Sequence, residues 1–148
     1  MPELTKNIEI QASPEKVFAF INDTEKVNQA TKGYLEREIT SKGPVGIGAT
    51  YHFVASAGGR IAEFDMEVTE FEKDKKVGAK SVGASKFKMD TLLWILEPTS
   101  KGTKATFQIK YKLPYSVLGE VIDKLKVGKD MDRLNSEMLQ KIKKAIES

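Results

Sequence analysis

The sequence predicts an α+β fold in which a curved, seven-stranded antiparallel sheet grips one long C-terminal helix, with two short helices between strands one and two. Three observations carry this expectation. Over residues 117–146, Leu118, Val121, Ile122, Leu125, Leu134, Met138, Ile142 and Ala145 recur at helical spacing among charged residues. Such a helix is a rod of roughly 45 Å, long enough to cross a broad sheet. Upstream, period-two alternation returns repeatedly between turn residues, and hairpin-length connections make the strands antiparallel.

At 148 residues the chain is read as a single domain, 1–148, large enough for a continuous core without staples. It has no cysteine, which excludes disulfides, thiolate metal sites and a Cys nucleophile and fits a reducing compartment. The N-terminal residues lack the apolar core of a signal peptide, and no apolar run approaches the roughly 20 residues that span a bilayer. A cytoplasmic location is the expectation. Charged residues make up 30% of the chain, but with a net charge of only +3 and mixed signs they describe a solvated surface. A nucleic-acid face needs lysines concentrated on one side with aromatics between them, so no nucleic-acid partner is expected.

Leu4, Ile8 and Ile10 alternate with polar residues as a first strand. Ser13-Pro14-Glu15 then starts a helix, because Ser caps well, Pro fits the first helical position and Glu complements the dipole. The apolar run Val17 to Ile21 buries this helix, and Asp23 can cap a second one carrying Val27 and Ala30. The stretch 34–41 is extended and charged. In the loop 42–48, three glycines precede a strand, not a helix, and lack the Lys-Ser/Thr ending of a P-loop, so the loop reads as a turn.

Gly58-Gly59 favours a tight hairpin. The register that follows pairs Ala55 with Ala62, Phe53 with Phe64, Tyr51 with Met66 and Ala49 with Val68 on one apolar side. Val54 with Glu63, His52 with Asp65 and Thr50 with Glu67 form the other side. The only histidine therefore faces away from any pocket, and a base must reach its substrate before its pKa matters. His52 is expected at the surface, and Glu63, Asp65 and Glu67 as a solvated face with no metal. In 87–97 both parities are apolar: Phe87, Met89, Leu93 and Ile95 against Leu92, Trp94 and Leu96. Either both faces are buried or a bulge switches them. Ala105, Phe107, Ile109 and Tyr111 restore clear alternation, Pro114 stops the strand, and Ser116 can cap the long helix.

Ser13 to Ile21 with Asp23, Gly46-Ile47-Gly48-Ala49-Thr50, Val68-Thr69-Glu70-Phe71, and Leu96-Glu97-Pro98 with Gly102-Thr103 follow one another in this order. Together they resemble the helix-grip superfamily, which includes START lipid-transfer domains, birch-pollen allergen-like proteins and the polyketide cyclase/dehydrase-like group, the last being the nearest in character. Many relatives carry a Trp after the second short helix, and Val27-Asn28-Gln29 has none. The resemblance implies one domain with a cavity between helix and sheet, and favours Leu92, Trp94 and Leu96 as inward.

The leading functional expectation is a binder of a small hydrophobic ligand, lipid-like or aromatic. Tyr51, Phe53, Phe64, Met66, Leu92, Trp94, Phe107, Ile109 and Tyr111 would line its cavity opposite Leu118, Ile122 and Leu125, an adaptable apolar set with a few polar tips. The same stripe could be a filled core. A second reading is a cyclase/dehydrase-type enzyme on an aromatic or polyketide-like substrate, for which only the Tyr51 and Tyr111 hydroxyls point inward, with no confident inward Arg or carboxylate. A third is a protein-interaction or chaperone-regulating module, although charged pairs such as Glu137/Lys141 are sufficient as helix stabilisers. No catalytic residue, metal or cofactor is assigned, and the oligomeric state is open. Leu118 to Leu125 is expected over the pocket and Leu134 to Ile146 on solid core. Gly128, between them, would leave room in the cavity or permit a bend.

Overall fold

Apolar residues at every second position need a partner layer, and a single curled sheet around one helix supplies it. The computed structural model describes residues 3–57, 60–83, 88–112 and 124–148. Along the chain run β1 (Glu3–Ile10), α1 (Pro14–Ile21), α2 (Thr24–Ala30), β2 (Leu35–Ile39), β3 (Thr50–Ala57), β4 (Arg60–Glu72), β5 (Lys76–Val82), β6 (Lys88–Thr99), β7 (Gly102–Lys112) and α3 (Lys124–Glu147). The strands form one antiparallel seven-stranded sheet in the order β1-β7-β6-β5-β4-β3-β2. The glycine turn 58–59, Phe87, Ser116 and the start of the expected long helix lie outside the described residues.

Local chemistry sets the short helices. Ser13 accepts a hydrogen bond from the Lys16 N–H at 3.2 Å with Pro14 in the first turn, and Asp23 accepts one from the Lys26 N–H at 3.1 Å. Each cap satisfies a donor that the helix itself cannot. At the end of α2 the wholly buried Thr31 hydroxyl lies 2.8 Å from the Val27 carbonyl and 2.6 Å from that of Leu35, joining the helix to the start of β2.

The β3–β4 register is the expected one, with Phe53 opposite Phe64, Tyr51 opposite Met66 and His52 opposite Asp65. The disputed strand resolves through a bulge. Met89 pairs with Tyr111 and Thr91 with Lys110, so Asp90 is the extra residue, and Met89, Leu92, Trp94 and Leu96 all fall on the inner parity. Thr69 does the same in β4, putting Val68 and Phe71 on one face. A bulge bends its strand and increases the local twist, and two of them curl the sheet.

Met138, Leu139, Ile142 and Ile146 of α3 are buried in the same core as Ile10, Val17, Met66 and Ile109. Burial of each such side chain contributes about 1.5–3 kcal/mol. The expected stripe ran through Leu134 and Ala145; both are only half-buried, and Leu139 and Ile146 join Met138 and Ile142 instead. Polar ties to β1 and the residue after it accompany this orientation. Lys143 donates to the Glu9 carbonyl, Glu147 accepts the Gln11 N–H at 2.8 Å, and Lys6 pairs with Asp132. The Gln11 and Lys143 donors also hold the Glu147 carboxyl below the usual carboxylate range.

A Cβ at Gly128 meets nothing within 4 Å among the described residues, and Gly128 is not among the residues lining the cavity described below. Gly128→Ala is therefore expected to raise stability by up to about 1 kcal/mol through helix propensity alone. Chemical denaturation checks this; a loss of stability would show that the position requires the absence of a side chain.

Candidate functional site

A cavity of about 60 Å³ lies between the inner face of the sheet and the three helices. That is several times the roughly 10–15 Å³ one water requires and well under the roughly 300–1,000 Å³ of sites for drug-sized ligands. It admits a compact group as it stands, and a longer ligand requires a helix to shift outward. Ile21, Asn22, Val27 and Asn28 of the α1–α2 region form one wall, and Met138 and Ile142 of α3 another. The sheet contributes Leu35, Arg37, Tyr51, Phe53, Val68, Val77, Gly78, Ala79, Leu92, Trp94 and Phe107.

Arg37 is the one charged side chain among these lining residues. It reaches the inner face by parity: Leu35, Arg37 and Ile39 stand opposite Ala55, Phe53 and Tyr51, whereas Glu36 and Glu38 stand opposite Val54 and His52. Its Nη2 donates to the Ile21 carbonyl at 2.7 Å, at the C-terminal end of α1, where the helix dipole favours a cation. Its guanidinium carbon lies 5.1 Å from the centroid of the Tyr51 ring, a cation–π arrangement. Nε is shielded from solvent, and among the described residues it has no hydrogen-bond acceptor and no carboxylate forms an ion pair with this side chain. Burial pushes the Arg37 pKa down, with Tyr51 and Asp23 opposing it, yet a guanidinium stays cationic in any ordinary pH range.

The backbone of Arg37 is fixed as firmly as its side chain. β2 is an edge strand, so the outer N–H and C=O of Arg37 have no strand partner. Asn28 of α2 supplies both, with Oδ1 accepting the N–H at 3.0 Å and Nδ2 donating to the carbonyl at 2.8 Å. A side-chain amide thus substitutes for one residue of a neighbouring strand.

Of the expected pocket residues, Tyr51, Phe53, Leu92, Trp94 and Phe107 line the cavity. Phe64, Met66, Ile109 and Tyr111 are buried in the surrounding core. Leu118, Ile122 and the Leu125 side chain lie outside the described residues. Met138 and Ile142, assigned by sequence to solid core, face the cavity. The expectation of no inward arginine is corrected by Arg37, and the sequence carries the signal: a charge at period two between Leu35 and Ile39, in a stretch read as extended and charged. Burial raises the Tyr51 and Tyr111 pKa values above that of an ordinary phenol, so both are neutral hydrogen-bonding groups at neutral pH.

His52 lies on the opposite face, its Nδ1 2.8 Å from Asp65 and its Nε2 3.4 Å from Glu63. Those carboxylates raise its pKa, Asp65 most. A raised folded pKa means that the protonated ring stabilises the fold fully below the unfolded value of about 6.5. That contribution disappears as pH rises through the folded value. An NMR titration of His52 should give a midpoint above about 6.5, and His52→Gln should remove the matching slope in stability against pH. A midpoint at or below the free value would contradict the pairing.

The family model described as polyketide cyclase / dehydrase and lipid transport matches residues 1–147. No curated protein matches the chain. Among solved structures, TTHA0849 from Thermus thermophilus is similar with a TM-score of 0.82 and 22% identity, over 98% of this chain and 97% of its own. The Zhui aromatase/cyclase from Streptomyces sp. R1128 has a TM-score of 0.81 and 11% identity, over 99% and 93%. CV1439 from Chromobacterium violaceum has 0.71 and 13%, over 99% and 98%. At these identities the likeness concerns the fold. Among the described residues, no helix is long and apolar enough to cross a membrane, and no group of three or more His, Cys, Asp or Glu side chains could hold a metal ion.

Proposed function

The chain belongs to the polyketide cyclase / dehydrase and lipid transport family, and from that premise we propose that it binds a small hydrophobic ligand in the cavity between sheet and helices. The observation that carries the reading is the lining itself: aromatic and aliphatic walls from Tyr51, Phe53, Trp94, Phe107 and Met138, interrupted by one fixed cation. An apolar concavity with a few convergent polar groups is the usual form of a small-molecule site. A cytoplasmic location belongs to the same reading, on the absence of cysteine.

A cyclase-type reaction is the second reading, favoured by the Arg37–Tyr51 pair, which could stabilise a developing oxyanion. It ranks behind binding because no residue described as lining the cavity is a carboxylate or histidine that could take up a proton. Titration with the neutral fluorescent probe N-phenyl-1-naphthylamine tests the leading reading. Saturable one-site binding is expected, and the absence of any saturable signal would remove it.

A further inference from the structure

We propose that Arg37 selects ligands bearing a carboxylate, so that the cavity takes an apolar acid headgroup-first against the α1–α2 wall. This rests on the binding reading above and adds the chemical class of the ligand. A full positive charge stands among described lining residues that are otherwise uncharged, and its described partners are neutral: a backbone carbonyl and a phenol ring. Asp23, whose field acts on the guanidinium, has Oδ1 engaged as the N-cap of α2. The Nε–H is removed from water, with no acceptor among the described residues. A buried donor without a partner is costly, and a charged one more so. A carboxylate in the cavity supplies the missing negative charge and, once the side chains covering Nε move aside, the missing acceptor, in the planar geometry that a guanidinium matches best.

A purely structural role is the competing account, with Arg37 closing the end of α1 and stacking on Tyr51. That role uses Nη2 and the guanidinium face and leaves Nε idle. Asn22 already returns two donors to the last turn of α1, its backbone N–H and its Nδ2 both reaching the Phe18 carbonyl. The Asn28 clamp meanwhile fixes the Arg37 backbone on both sides. A fixed cation in an apolar cavity is pre-organised for an anion, because little freedom remains to be lost on binding.

The experiment is competition against N-phenyl-1-naphthylamine by octanoate and by 1-octanol, which share a chain and differ in the head. With the wild-type protein at neutral pH, octanoate should displace the probe at least about tenfold more effectively than octanol, the factor expected of one charge-assisted hydrogen bond. In Arg37→Met the ratio should fall to about one. Equal displacement by acid and alcohol in the wild type overturns the carboxylate proposal and leaves the cavity reading standing. Failure of the probe itself to bind overturns both. Should Arg37→Met not fold, the Arg37 Nε–Hε resonance of the wild type decides: a shift with octanoate and none with octanol supports the proposal, and an unmoved resonance with octanoate bound refutes it.

Discussion

Replacing Gly102 by alanine is expected to cost about 3–5 kcal/mol of stability and to lower the melting temperature by about 10 °C. Gly102 opens β7 with φ 149°, a backbone conformation that L side chains rarely adopt. A Cβ there would stand 2.3 Å from the Ile10 carbonyl oxygen, 2.7 Å from the Ala12 nitrogen and 2.9 Å from the Ala12 oxygen. All three are backbone atoms, so no side chain can swing aside. The segment also cannot simply retreat. Thr103, wholly buried, donates to the Ala12 carbonyl at 2.7 Å, and its Cα is in register with Ile10. Ser13 begins α1 immediately afterwards. Strain at Gly102 would thus spread into β1, β7 and the first helix, whereas Gly128→Ala relieves a local weakness in α3. Thermal melts of the two variants should move in opposite directions, and a Gly102→Ala protein as stable as wild type would show that β1 yields more easily than this packing implies.

The contrast between those glycines also marks how far sequence reaches. The β3–β4 register was legible because a two-residue glycine turn fixes pairing and period-two alternation then assigns every side chain to a face. The inward set of β6 was not, since Asp90 inserts one residue and makes two opposite parities both correct in their own halves. The inward placement of Arg37 is hidden in the sequence for a different reason. Charge in an extended run ordinarily means solvent, and only its position between Leu35 and Ile39 said otherwise. Which residues of α3 face the cavity depends on where the helix lies against the sheet, a placement accompanied by ties from Glu147, Lys143 and Asp132 to Gln11, Glu9 and Lys6. Those contacts are distant in sequence, and no helical periodicity encodes them.

Trp94→Ala should be the most damaging substitution on the cavity wall, costing about 3–5 kcal/mol, and it should be partly reversible by indole. Trp94 is only 7% exposed, lines the cavity, and meets Phe107 with ring centroids 4.7 Å apart. Truncation would remove the indole and join its volume to the space already beside it. In a solid core the neighbours partly collapse into such a gap, which limits the loss. Here the wall is held apart by the sheet on one side and by Met138 and Ile142 of the tethered α3 on the other. The enlarged void therefore remains and stays apolar, the condition under which an engineered cavity takes up a small aromatic. Ligand that binds only the folded state stabilises it by RT ln(1 + [L]/Kd), about 2.7 kcal/mol at one hundred times Kd. Indole should accordingly raise the melting temperature of Trp94→Ala by several degrees, and by more than it raises that of the wild type. If indole fails to rescue a variant that is folded but destabilised, the walls have closed on the gap, and the space between sheet and helices is a core that packs itself, not a site held open for a ligand.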